Sequence, residues 1–181
     1  MPKYVAFLRA INVGGHRVKM DDLRRLFEAI GFSNVETFIA SGNVLFDSPS
    51  RNTPALERKI ADHLEKALGY EVTTFIRSMS ELAEIARYKP FPDAELNAAG
   101  HVLYIAFTVD RPSDKTKQQL LLLATKVDDF HVYGREVYWL CRKNLGESEV
   151  PGVLFGKALG MPATLRNSTT VKKIASKYQR R

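Results

Sequence analysis

Cysteine is nearly missing from this chain. Cys141 stands alone, so no internal disulfide can form, and the pattern suits a reducing compartment. Its plain reading is a small apolar residue at the end of a strand. Long apolar runs are missing too, since nothing approaches the roughly 18 residues of a membrane-spanning helix. The opening stretch is broken by Arg9 and lacks a small-residue cleavage site, so it does not read as a signal peptide. These absences lead to the expectation of a soluble, cytoplasmic protein with no membrane partner. His16, His63, His101 and His131 are scattered, with no zinc or metalloprotease spacing, so no metal is expected. Ser41 lacks the flanking glycines and the strand-to-helix turn of a nucleophile elbow and reads as a turn serine. Asp21-Asp22 and Asp128-Asp129 stand at element starts, where capping explains them. No catalytic residue and no cofactor motif emerges, so enzymatic activity has no motif behind it.

The chain does have an ordinary globular composition and an uneven charge. At 181 residues, 45% hydrophobic and 26% charged, it can bury a sizeable core. The formal net charge is +7. Residues 142–181 hold nine lysines and arginines against two glutamates, so the whole excess lies there and residues 1–141 balance to zero. A segment of that kind attracts polyanions, although a solvated basic helix has the same composition.

Periodicity gives the architecture. An apolar run at residues 3–9 predicts a buried strand. Leu23, Leu26, Phe27 and Ile30 follow helical spacing, with Asp21 or Asp22 as cap and Gly31 as stop. Residues 35–40 and 44–46 flank Ser41-Gly42-Asn43, a candidate two-residue hairpin turn. Leu56, Ile60, Leu64 and Leu68 mark a second helix, and residues 72–77 a fourth strand. Ser78 and Glu81 form a capping box for a further helix. The order recurs from His101: a strand to Thr108, a helix from Pro112, a hairpin at Gly134-Arg135, a helix over 151–159, a strand over 164–166 and a last helix through Val171, Ile174 and Tyr178. The expected fold is α+β, two tandem ferredoxin-like βαββαβ repeats with antiparallel sheets and additional helices. The first subdomain and its linking helix take residues 1–88, a linker takes 89–100, and the second subdomain with a C-terminal basic helix takes 101–181. Gly42 and Gly134, and Val72 and Thr164, are the expected equivalents. One sheet face per unit is left for burial or binding.

The copies differ after their first strand. That segment runs from Arg9 to Asp21 in one and from Thr108 to Ser113 in the other, a surplus of about seven residues that the fold does not need. The surplus holds Asn12, Val13, Gly14 and Gly15, where glycines would let backbone N–H groups approach an anion, and Arg9, His16, Arg17 and Lys19 would add charge. A flexible turn that needs only positive φ would use the same residues. Near the C-terminus, Arg166-Asn167-Ser168-Thr169-Thr170 precedes a helix with Lys172 and Lys173 in its first turns. Lysines there oppose the helix dipole, and a bound phosphate would relieve the conflict; an ordinary cap at Asn167 or Ser168 with solvated lysines is the alternative. The candidate anion-binding residues are thus Arg9, Asn12, Gly14, Gly15, Arg166, Asn167, Thr170, Lys172 and Lys173. A single site formed by both segments would have to assemble across the two copies. Phe7, Phe46, Tyr104, Phe107 and Tyr138 lie in strands suited to stacking RNA bases, but no RNP-type segment accompanies them, and core packing accounts for them.

Three strings carry a family likeness: Tyr4-Val5-Ala6-Phe7-Leu8-Arg9-Ala10-Ile11-Asn12-Val13-Gly14-Gly15, Ser41-Gly42-Asn43-Val44, and Arg166-Asn167 through Thr170-Val171-x-Lys173. In these the chain resembles an uncharacterised bacterial family, domain of unknown function 1697 (DUF1697), and the likeness covers nearly the whole chain. The resemblance implies two ferredoxin-like subdomains and no established activity or catalytic residue. The chain departs from that family near Ser168, where an aromatic residue is usual.

Three functions fit these observations. The leading one is binding of a phosphate-bearing ligand, above all nucleic acid, because the charge is concentrated in one segment. The second is an enzyme or sensor for a small anionic molecule. The third is a protein-interaction module that uses an open sheet face or edge.

Overall fold

In a computed structural model of the chain, every residue is described except 13, 40–41, 144–146 and 180–181. Val13, Ser41, Arg180 and Arg181, singled out in the sequence, therefore lie outside the described residues. Two compact units emerge, Met1–Ile85 with Ile174–Arg181, and Ala86–Lys173. The first begins with β1 (Lys3–Leu8), α1 (Met20–Ala29), β2 (Ser33–Thr37) and β3 (Asn43–Asp47), and continues with α2 (Thr53–Leu68), β4 (Thr74–Ser78) and α3 (Met79–Arg87). The second holds α4 (Asp93–Leu96), β5 (Val102–Phe107), α5 (Asp114–Leu121), β6 (Asp128–Tyr133), β7 (Glu136–Cys141), α6 (Gly152–Leu159) and β8 (Thr164–Asn167), followed by α7 (Ser168–Gln179). The sheet orders are β2-β3-β1-β4 and β6-β7-β5-β8, antiparallel throughout. The fold is α+β in two similar halves. Sequence order placed all of the last helix in the second half, whereas from Ile174 onward it groups with the first unit, and the 89–100 segment contains the helical turn α4. No helix among the described residues is long and apolar enough to cross a membrane.

Alternation along the strands sorts the side chains. Tyr4, Ala6 and Leu8 of β1, with Val44, Phe46 and Ile76, pack against Leu23 and Phe27 of α1 and Leu56, Ile60 and Leu64 of α2. In the second unit Ala106, Phe130, Val137 and Trp139 meet Leu120, Phe155 and Leu159. Each large apolar side chain so buried contributes about 1.5–3 kcal/mol. The intervening residues Val5, Phe7, Leu45, Phe75, Ile105, Phe107, Tyr138 and Leu140 are buried as well. The central strands are therefore covered on both faces, which is why they read as continuous apolar runs. Of the two uses the sequence left for the second sheet face, burial is the one seen along the central strands, and the aromatics that could have stacked bases are core residues, Tyr104 half-buried and the rest buried.

Local signals place the element ends. Ser78 Oγ accepts from Glu81 N at 3.2 Å, and the Glu81 carboxylate accepts from Ser78 N at 2.7 Å, the expected capping box. Asp21 and Asp22 do not cap α1; Lys19 holds the cap position without a side-chain bond, and both aspartates face arginines within the helix. The α5 helix starts two residues after Pro112, at Asp114, because the Ser113 hydroxyl accepts from Thr116 N. The second hairpin turns at Gly134 and Arg135 as expected. The first needs a five-residue loop, 38–42, with Asn43 already in β3.

That loop shifts the correspondence between the halves. Phe7 pairs with Phe75 and Asn43, while Phe107 pairs with Thr164 and Glu136. Thr164 thus matches Phe75, not Val72, and Gly42 matches Arg135, not Gly134. At the edges of the first sheet, the buried Glu57 carboxylate of α2 accepts from Ile76 N of β4 at 3.0 Å, and the β2 register is interrupted between Ser33 and Glu36.

Candidate anion-binding surfaces

Eleven residues, 9–19, join β1 to α1, where six, 108–113, join β5 to α5; the surplus is five, not seven. The longer connection is pinned at its base. Arg9 N donates to Thr73 O at 2.9 Å, Ile11 is buried, and the Tyr70 hydroxyl donates to Ile11 O at 2.7 Å. Burial pushes the Tyr70 phenol up, so it remains a donor across the neutral range. Asn12 Oδ1 accepts from Val18 N at 2.8 Å, which makes Asn12 a clasp of the loop. His16 stacks on Tyr70 with ring centroids 3.9 Å apart.

Beyond this base the loop is open. Arg9, Asn12, Gly14, Gly15, His16, Arg17 and Lys19 are exposed. Gly14 and Gly15 have φ of 64° and 84°, and nothing lies within 4 Å of where either would carry a Cβ. Ala10 also has positive φ, 59°, which costs about 1–2 kcal/mol for a residue with a Cβ. Gly42, in the adjacent hairpin loop, accepts from Leu8 N at 2.9 Å. A Cβ there would sit 2.9 Å from Leu8 Cβ and 3.0 Å from Ile11 Cγ2, so packing dictates this glycine.

The start of α7 is a surface of the second unit. Asn167 Oδ1 accepts from Thr169 N at 2.9 Å, the ordinary cap. Lys172 and Lys173 are exposed and Thr170 is half-buried. Arg166 is turned back on its own strand: it pairs with Ile105 in register, and its Nη1 donates to Thr164 Oγ1 at 2.7 Å and to Leu165 O at 3.0 Å. Burial pulls its guanidinium down to about 10, which leaves it cationic at neutral pH. Arg9, Asn12, Gly14 and Gly15 thus share one loop of the first unit, and Asn167, Thr170, Lys172 and Lys173 share one helix start of the second.

Some of the C-terminal charge is neutralised locally. Arg142 lies 3.1 Å from Glu95 and 3.5 Å from Asp129, and its hydrogen bond holds the Glu95 carboxyl below the usual range. Lys177 pairs with Glu36, which also accepts from the Tyr178 hydroxyl. Asp128, read from sequence as a cap, is a buried hub: its carboxylate accepts from Trp139 Nε1 at 2.8 Å, Ser148 Oγ at 2.7 Å and Glu149 N at 2.9 Å. Cys141 is buried, and burial pushes its thiol up, as suits an inert core residue.

The family described as "Protein of unknown function (DUF1697)" matches residues 1–138. The chain belongs to that family. This DUF1697 protein is also similar to the structure of the conserved bacterial protein SP0830 from Streptococcus pneumoniae, with 20% sequence identity, a TM-score of 0.78 and coverage of 99% of both chains. At that identity the likeness speaks for the fold alone, and it spans the whole DUF1697 chain, including the part beyond residue 138. No curated protein matches it.

Proposed function

We propose that this protein binds a phosphate-bearing ligand, with nucleic acid the leading candidate, and that the 9–19 loop is its principal point of attachment. The supporting observation is that Arg9, Arg17 and Lys19 are exposed on the same loop as the open Gly14 and Gly15 backbone, while Ile11, Asn12 and Tyr70 fix its base. A loop already fixed at its base loses less freedom on binding. Backbone N–H groups without a neighbouring Cβ can approach a phosphate closely, and the cations add long-range attraction. Lys172 and Lys173 offer a second point of attachment. The emphasis moves away from the C-terminal segment as a whole because Arg142 and Lys177 are already bonded to carboxylates.

The test is binding of fluorescent single-stranded DNA as a function of salt. Each phosphate that a cation neutralises adds about 0.7 to the slope of log K against log salt. Replacing Arg9, Arg17 and Lys19 with Gln should therefore lower that slope by about 2, and replacing Lys172 and Lys173 by about 1.4. If the unmodified protein binds no single-stranded DNA and is not retained on heparin at low salt, the nucleic-acid reading fails.

A further inference from the structure

The first unit contains a cleft of about 440 Å³ beside the beginning of β1, at the opposite end of that strand from the 9–19 loop. Lys3, Tyr4, Arg51, Ser78, Ser80 and Glu81 line it. Most of these groups are held in place. The Tyr4 hydroxyl donates to Ser50 O at 2.8 Å, Lys3 is bonded to Asp47 at 2.8 Å, and Ser78 and Glu81 are locked in their capping box. The Ser78 and Ser80 hydroxyl oxygens lie 3.1 Å apart. Arg51 differs: it is exposed and has no hydrogen-bond or ion-pair partner among the described residues.

The second unit acts as a partial internal control: it keeps a tyrosine and a polar residue at the same corner, Tyr104 beside Asn167 where the first unit has Tyr4 beside Ser78, but differs at two other positions. Leu103 pairs with Leu140 where the first unit pairs Lys3 with Asp47. Val150, one residue before the Pro151 cap of α6, is buried where Arg51, one residue before the Asn52 cap of α2, is exposed. The fold therefore does not require the Lys3–Asp47 pair or an arginine at position 51.

The cleft has the size of a small-molecule site. A guanidinium offers forked N–H donors that match a phosphate or carboxylate, and the Lys3 charge is already balanced by Asp47. Glu81 opposes a second anionic group and accepts from hydroxyls, which disfavours a polyanion here. From this geometry we infer that the cleft is a binding site for a small hydroxylated molecule with one anionic group, a polyol phosphate or a sugar acid. It is separate from the loop assigned to phosphate-bearing ligands above.

The experiment is an NMR titration of the full ¹⁵N-labelled chain with glycerol 3-phosphate and with gluconate, using glycerol as the neutral control. The expected result is saturable shifts of the Ser78, Ser80 and Glu81 amides with at least one of the two anions and none with glycerol. R51Q should weaken that binding about tenfold or more while leaving the spectrum elsewhere unchanged, and S80A should weaken it in the same direction. The Arg9, Arg17 and Lys19 glutamine variant should leave it unaffected, so failure here and failure of the loop reading are separate outcomes. The inference is overturned if neither anion gives saturable shifts, if glycerol gives the same shifts, or if R51Q binds as well as the unmodified protein.

Discussion

Gly42→Ala is the sharpest single perturbation of the corner beneath the 9–19 loop. Two penalties add. The backbone sits at φ +75°, where a Cβ costs about 1–2 kcal/mol. The new methyl would also lie 2.9 Å from Leu8 Cβ, 3.0 Å from Ile11 Cγ2 and 3.3 Å from Leu8 O, approaches that force core and backbone shifts of about 1–3 kcal/mol. The sum, roughly 2–5 kcal/mol, is a large share of a typical domain's stability of about 5–15 kcal/mol. Gly134→Ala is the control: φ is +62°, but the nearest atom to the new Cβ is 3.9 Å away, so only the backbone penalty of about 1–2 kcal/mol applies. Urea unfolding followed by far-UV circular dichroism should show the Gly42 variant losing about 1–3 kcal/mol more than the Gly134 variant. Trp139, the chain's one tryptophan, reports separately on the second unit. Equal losses in the two variants would refute the close approach of Gly42 to Leu8 and Ile11.

Two further outcomes follow from one buried and one half-buried polar group. Asp128→Ala strips the acceptor from Trp139 Nε1, Ser148 Oγ and Glu149 N and should cost about 1.5–3 kcal/mol by urea denaturation, mainly because the buried Trp139 donor is left unpaired; a loss under about 1 kcal/mol would contradict the hub. Burial holds the His131 imidazole below its ordinary value, so the folded state favours the neutral ring, whose Nε2 is hydrogen-bonded with the Tyr88 hydroxyl at 2.7 Å. Its contribution to stability is present above about pH 6.5 and is lost as pH falls through the folded value. An NMR titration should place His131 below 6.5, and the urea midpoint should fall less between pH 7 and pH 5 in His131→Asn; a titration above 6.5 would reverse the sign.

What could be read from sequence was what is local. The Ser78 and Glu81 capping box depends on residues three apart, and the core helices on spacings of three and four. The strand orders followed from seeing the same series of elements twice. Partners distant in the chain were not legible. Lys177 counted as a free cation until the fold set Glu36 beside it, and Arg142 until it met Glu95. Asp128 resembled a cap because Trp139 and Ser148 lie elsewhere in the chain, in β7 and in the segment after it. The equal spacing from Gly42 to Val72 and from Gly134 to Thr164 concealed hairpin loops of different length, so those four residues were matched wrongly. In the 9–19 loop, composition pointed to exposed cations and glycines, whereas the hold of Tyr70 on Ile11 O needed the fold. The cleft at Arg51 draws on three separated stretches of chain, and nothing at one of them announces the others.

The carboxylate of Glu57 has a consequence for self-association. An edge strand with free amides is a template on which another chain can add a strand, the usual beginning of runaway assembly. On β4 the Ile76 amide is already taken by a side chain from the unit's own helix, and on β2 the interrupted register between Ser33 and Glu36 removes the straight run that an incoming strand would need. Each border of this sheet thus carries one obstacle to strand addition encoded within residues 33–76, before any charge on the surface acts. A partner that recognised the first unit through its side chains and loops would meet neither obstacle.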